Sequence, residues 1–260
     1  MSERAQRIAE AASAYALELE GVSRRFGALV ALDAVDLKVR AGERRAVLGA
    51  NGAGKTTLFN SITGDFPPTS GRIRFFGEDV TDLTPHERIR RGLRRTYQIS
   101  LLFQDLTVLD NLFLATRGVT RRRYSLRRPR RDDPTLESAR GLAHTVHLDT
   151  VIDKRVGDLG HGQQRQLEIG IALAGAPRFI LFDEPAAGLS AQDRAELIAI
   201  LRALPAHIGY IVIEHDLDVA LRVVETVTIM HNGRIFKHGS PDAIEADAEV
   251  QRIYLGGNHA

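Results

Sequence analysis

The stretch Gly49-Ala50-Asn51-Gly52-Ala53-Gly54-Lys55-Thr56 decides the fold of this chain, because its spacing, charge and backbone freedom suit one task, the holding of a nucleoside triphosphate. Three glycines let the main chain bend until successive N–H groups point inward, Lys55 reaches toward the β- and γ-phosphates, and the Thr56 hydroxyl is placed to ligate Mg²⁺. Before it, Arg45-Ala46-Val47-Leu48 reads as a short buried strand. After it, Thr57-Leu58-Phe59-Asn60-Ser61-Ile62 opens a helix, which puts the phosphates at a helix N-terminus. The plain alternative, a glycine-rich turn with a surface lysine, gives no reason for strand and helix on either side.

Outward from the cradle, three apolar tetrads are bounded by breakers: Phe179-Ile180-Leu181-Phe182, Tyr210-Ile211-Val212-Ile213 and Val227-Thr228-Ile229-Met230. Such runs suit strands buried on both faces of a parallel sheet. Between them Ser190-Ala191-Gln192-Asp193 reads as a capping-box start, followed by Leu197, Ile198, Leu201 and Leu204 at helical spacing. The fold class this predicts is α/β. Toward the N-terminus, Ala16 to Val22 and Ala34 to Val39 alternate apolar and polar residues, as half-exposed antiparallel strands of a flanking sheet would. Thr84-Pro85-His86-Glu87 starts another helix, which should end near Gly92.

With 260 residues and 43% hydrophobic content the chain buries a substantial core, as one large or two small domains. No apolar run approaches the roughly 18 residues a bilayer span needs, and the N-terminus has no signal-peptide core, so a cytosolic chain is expected. Cysteine is absent, which removes disulfides and thiolate metal sites. A formal charge of +2 hides an imbalance of 31 arginines against four lysines. Arginines at 117, 121, 122, 123, 127, 128, 130 and 131 form the sharpest local anomaly. They read as a solvated loop or as a contact with anionic lipid headgroups.

Phe179 to Phe182 runs into Asp183-Glu184, an apolar strand ending in two acids, the arrangement that sets carboxylates beside a metal-bound phosphate. Asp183 would hold Mg²⁺ directly or through water, and Glu184 would polarise the attacking water as general base. After the next apolar strand, Glu214-His215-Asp216 places an imidazole where it contacts the γ-phosphate; a structural histidine is the alternative. Leu159-Gly160-His161-Gly162-Gln163 precedes a helix whose Leu167, Ile171 and Ala174 share a face, a second glycine-rich helix entrance able to bind phosphate. One nucleotide has no obvious use for both entrances within one subunit.

From about Leu17 to Gly239 the chain resembles the ATP-binding subunit of an ABC transporter. Gly49 to Thr56 is similar to the Walker A loop, Gln98 to the Q-loop glutamine, Leu159 to Gln163 to the signature, Asp183 and Glu184 to the Walker B end, and His215 to the switch histidine. The resemblance implies a P-loop NTPase core with a parallel sheet, a flanking antiparallel β-subdomain and an inserted helical subdomain. Its expected boundaries are a tail at 1–15, a RecA-like core at 16–97 and 160–240, the helical subdomain at 98–159 and a second tail at 241–260. ATP would lie on Gly49 to Thr57 with Phe26 against adenine, and Mg²⁺ on Thr56, Gln98 and Asp183. Catalysis would rest on Glu184, His215 and Gln98. Phe26 in its Arg-Phe-Gly turn has a plainer reading as a core residue.

The resemblance also implies a head-to-tail dimer with an identical or paralogous subunit, in which each signature closes over the ATP of its mate and contacts fall near Ala187 to Ser190. Two membrane permease subunits and, indirectly, a solute-binding protein would complete the assembly, on the cytoplasmic side of the cell membrane. Gln98 would lead into a subdomain that touches those subunits. Arg95-Thr96-Tyr97-Gln98, Leu102-Phe103, Leu106-Thr107-Val108, Asp110-Asn111-Leu112, Asp183 to Leu189 and Tyr254-Leu255-Gly256-Gly257 are similar to branched-chain amino acid importer ATPases, a group whose members also carry small amides. The signature departs from the family's pattern: Gly160 then His161 stand where serine then glycine are usual, which predicts slower turnover. Two rival readings are a soluble ABC-type ATPase acting on nucleic acid or ribosomes, disfavoured by the short span between Gln98 and Leu159, and a nucleotide sensor with negligible catalysis, disfavoured by Glu184 and His215. No nucleic-acid partner is expected.

Overall fold

The computed structural model describes residues 14–96, 102–119 and 133–255, with side chains through 252. Two strands, β1 (Tyr15–Phe26) and β2 (Leu29–Arg40), form a long antiparallel hairpin, and β3 (Arg44–Leu48) runs into the cradle and helix α1 (Lys55–Thr63). β4 (Ser70–Phe75), β5 (Glu78–Asp79), α2 (Pro85–Arg90) and β6 (Leu93–Arg95) follow. Then come α3 (Val108–Gly118), α4 (Pro134–Thr145) and α5 (His161–Leu173). The last part alternates β7 (Phe179–Asp183), α6 (Ala191–Ala203), β8 (Gly209–Ile213), α7 (Leu217–Val223), β9 (Thr226–His231) and β10 (Arg234–Gly239), closing with α8 (Pro241–Glu245) and α9 (Ala248–Leu255).

The strands make two sheets. Four antiparallel strands are ordered β2-β1-β4-β5, and six are ordered β10-β9-β3-β8-β7-β6, all parallel except for the β9–β10 hairpin. The α/β class expected from the sequence is therefore the observed one. Alternation of side chains explains why the tetrads are apolar throughout. Ile180, Phe182, Tyr210 and Val212 face one core with α3, α5 and α6, whereas Leu181, Ile211 and Ile213 face a second core with α1 and the antiparallel sheet. Helix α5 approaches α3 closely because residue 170 is glycine: a Cβ there would stand 3.0 Å from Leu112 and 3.2 Å from Val146.

Arg88 ties α1 to α2. Its buried guanidinium donates to Ser61 O and Ile62 O at 2.7 Å, Thr81 O at 2.8 Å and Leu83 O at 3.0 Å, so it caps the C-terminal carbonyls of α1; burial lowers its pKa to about 10. The capping box at Thr84 and Glu87 is present as read. At Ser190 the hydroxyl accepts from Asp193 N, but the Asp193 carboxylate bonds that hydroxyl instead of turning back to the Ser190 N–H, so the cap is single.

Two expectations need correction. Tyr15, assigned to the N-terminal tail, already pairs with Arg40 in β1. Residues 241–255, assigned to a C-terminal tail, fold as α8 and α9. Ser240 caps the first of them and Pro241 occupies its first turn, and Ile244 and Val250 are buried in the same core as β9. Among the described residues no helix is long and apolar enough to cross a membrane.

Candidate functional site

Strands β3, β8 and β7 are neighbours in register: Val47 stands opposite Ile213, and Ile213 opposite Asp183. Parallel pairing makes their C-terminal ends level, so the loops that leave them share one edge of the sheet. Those loops begin at Gly49, Glu184 and Glu214. Topology thus gathers three segments that are far apart in sequence.

The cradle is built by glycines where a side chain cannot fit. At Gly54 φ is 101°, and a Cβ would meet Ala31 O at 2.6 Å; at Gly49 it would meet Met230 O at 2.4 Å. Lys55 is buried and bridges the loop, donating to Gly49 O at 2.6 Å and Ala50 O at 3.1 Å. Burial lowers its pKa, while the charges of Glu184 and Asp183 push it back up. Helix α1 is capped by Gly54 with no side-chain hydrogen bond and no acid in its first turn, so among the described residues its first-turn N–H groups are left without a side-chain cap.

Asp183 is the last residue of β7 and 1% exposed. Its Oδ2 accepts from Arg95 Nη2 at 2.7 Å, whereas its Oδ1 is buried with no hydrogen-bond partner. An orphaned carboxylate oxygen at this edge suits a divalent cation. Among the described residues no group of three His, Cys, Asp or Glu side chains converges on a metal position. Thr56, on the first turn of α1, is the residue whose hydroxyl could serve such a site; Gln98, the third expected ligand, lies outside the described residues, as do Tyr97 and the arginines from 121 to 131.

Glu184 extends the ladder by donating its N–H to Ile213 O at 2.9 Å, then turns with φ 51°. A non-glycine residue in the left-handed region costs roughly 1–3 kcal/mol, and such strain concentrates at working sites. The turn brings its Oε1 to 2.5 Å from His215 Nε2. The two acids therefore face different partners, Asp183 the arginine and Glu184 the histidine.

The second glycine-rich entrance stands apart. Gly160 caps α5 without a side-chain bond, Gln163 Oε1 accepts from Gly160 N at 3.3 Å, and no acid occupies the first turn. Leu159 is buried, His161 is exposed, and a Cβ at Gly188 would lie 3.3 Å from the His161 ring. Gly162 leaves room for Asp193, whose Oδ1 lies 2.2 Å from where a Cβ would be. No hydrogen bond among the described residues joins this entrance to the cradle.

Phe26 is 41% exposed, which removes the core reading. Its ring meets Phe66 edge-on at 5.7 Å, and the Arg24 guanidinium lies 4.6 Å from its centroid. Phe66, Arg95 and Glu214 are site neighbours that sequence reasoning missed. Only Glu214 left a signal, a charge at the exit of a fully apolar strand.

Residues 32–187 match the family model described as ABC transporter. The chain is 34% identical over 250 residues to the high-affinity branched-chain amino acid transport ATP-binding protein BraF of Pseudomonas aeruginosa, covering 92% of this chain and 97% of that one. It is 31% identical over 250 residues, with the same coverage, to the corresponding protein LivG of Escherichia coli K12. Among solved structures it is similar to an ATP-binding cassette of an ABC transporter in its ADP conformation, with a TM-score of 0.83 and 31% identity over 93% of this chain and 99% of that one.

Proposed function

The chain belongs to the ABC transporter family, and on that premise we propose that it powers the import of branched-chain amino acids or related small amino acid or amide solutes. It binds nucleotide and is an ATPase. Support for the solute class comes from the relatives' names. The nucleic-acid reading is dropped, since the relatives are transport proteins by name.

In this reading ATP lies on Gly49 to Thr57, its phosphates on the α1 N-terminus and Lys55, its adenine on Phe26. Thr56 and the free Oδ1 of Asp183, together with Gln98, would hold Mg²⁺, which when bound would supply positive charge beside the phosphates. Glu184 takes a proton from the attacking water while His215 orients that carboxylate and approaches the γ-phosphate. The α5 N-terminus, from Leu159 to Gln163, reaches the nucleotide of a second cassette in a head-to-tail dimer. This accounts for an anion-ready helix start that, among the described residues, bonds nothing in its own cradle. Two permease subunits would seat the pair at the cytoplasmic side of the membrane, with a solute-binding protein acting indirectly.

The observation that carries the reading is the Glu184–His215 contact at the edge shared with the cradle. Glu184→Gln should bind ATP and dimerise yet lose nearly all turnover, a loss of about a hundredfold or more. Near-normal phosphate release by that variant, assembled with its membrane subunits, overturns the general-base role.

A further inference from the structure

We propose that Glu214 is a positioning residue for hydrolysis, a buried carboxylate that locks the backbone of the 186–190 loop to that of His215. The proposal rests on the reading of Glu184 and His215 given above and adds a residue that acts through the backbone of Ala186 and His215.

Glu214 is 2% exposed and directs its two oxygens at two different loops. Oε1 accepts from Ala186 N at 2.7 Å, and Oε2 accepts from His215 N at 3.3 Å. Ala186 is two residues beyond Glu184, and His215 meets Glu184 side chain to side chain. The path from Glu184 through Pro185 to Ala186, across Glu214 to His215 and back to Glu184 is therefore a closed ring. It has one side-chain contact on the solvent side and one carboxylate on the buried side. Movement of the 186–190 loop shifts the imidazole, and movement of the imidazole shifts the loop.

The residue type fits this job and is costly for any other. Burial, then the charges of Glu184 and Asp216, push the Glu214 carboxyl up to about 7 against the pull of the two N–H groups. A glutamine would avoid that cost, but an amide has one acceptor oxygen and would turn its NH₂ toward one of the N–H donors. Only a carboxylate accepts from both. The other charged groups nearby are occupied: Asp216 holds Arg194 at 2.7 Å, and Glu184 holds His215. The far end of the loop caps α6 at Ser190, and Gly188 packs beside His161 of the signature helix. Anything that presses on this face from outside, a second cassette above all, displaces a loop whose other attachment is the histidine on Glu184.

The test uses the cassette assembled with its membrane subunits, comparing wild type, Glu214→Gln and Glu214→Leu, the last filling the site with an apolar side chain. We expect kcat to fall about tenfold or more in both variants while KM for ATP, nucleotide affinity and ATP-driven dimerisation stay within about twofold. Amide exchange at Ala186 and His215 should rise above wild type in both variants, further in Glu214→Leu, which accepts from neither N–H, with the melting temperature of Glu214→Gln kept. Unchanged kcat in either folded variant overturns the proposal. So does a parallel fall of kcat, nucleotide binding and melting temperature, which marks lost native protein. Glu184→Gln, run alongside, tests the underlying reading: normal turnover in that variant sinks the general base whatever Glu214 does.

Discussion

His215 Nε2 lies 2.5 Å from Glu184 Oε1, so an imidazole from the loop after β8 closes on the carboxylate at the exit of β7. Neither residue is deeply buried, at 48% and 20% side-chain exposure, so the pair is a piece of working surface and contributes little to holding the sheets together.

That arrangement makes His215→Ala a test of shared function. Turnover should fall about tenfold or more with nucleotide affinity within about twofold, because the imidazole orients a base and Lys55 with the α1 N-terminus binds the phosphates. The double variant with Glu184→Gln should be no slower than the slower single, since groups acting as a unit are not additive. Multiplying losses, measured as single-turnover rates, would separate the two residues.

The signature helix gives a second expectation. Gly160 has φ −65° and ψ 158°, the extended conformation an N-cap serine adopts, and a Cβ there meets nothing within 4 Å. Gly160→Ser should therefore fold without strain, gain a few tenths of a kcal/mol from capping, and show an ATPase rate equal to wild type or higher. A loss above about tenfold contradicts the view that this position lacks a useful hydroxyl.

The sheet and its edge were legible because the signals are local. A glycine pattern with Lys55 is read at sight, and an apolar tetrad buried on both faces, such as Phe179 to Phe182, has few other interpretations. The roles of Arg95 and Glu214 were not legible, even with the charge of Glu214 visible at its strand's exit, because their partners are created by pairing across the sheet. Arg95 reaches Asp183 only once β6 lies beside β7, and Glu214 reaches Ala186 only once β8 is on β7's other side. The last helices escaped for a different reason: α8 and α9 are five and eight residues long, too short for a hydrophobic period to show, and Ile244 and Val250 bury singly. Phe26 shows the converse, since its sequence left core and surface readings open and its exposure decides between them.

Glu214 predicts a pH limb in stability. Its native carboxyl titrates at about 7 against 4.5 ordinarily, so the folded state holds that proton more tightly than the unfolded chain does. The group stabilises the fold fully below pH 4.5, and that contribution, of the order of 3 kcal/mol, is lost as the pH rises through about 7. Urea melts at pH 5 and pH 8 should show Glu214→Gln gaining on wild type at the higher pH. An equal offset at both values removes the carboxyl as the cause.

Arg95 and Asp183 carry the last expectation. The guanidinium gives Nη2 to Asp183 at 2.7 Å and Nη1 to Asn60 Oδ1 at 2.5 Å and Asp65 at 3.1 Å, with the arginine side chain 6% exposed and the aspartate 1%. Arg95→Met leaves a buried carboxylate without its cation, and breaking such a pair costs about 3–5 kcal/mol. Asp183 is also the residue we assign to Mg²⁺, so a bound ion would replace the lost charge. The variant's melting temperature should fall several degrees in EDTA, and Mg²⁺ with ATP should raise it by more than it raises wild type, because the ion then relieves an uncompensated charge as well as binding its nucleotide. If Mg²⁺ with ATP lifts both proteins equally, Asp183 is a structural partner of Arg95 and the metal sits elsewhere.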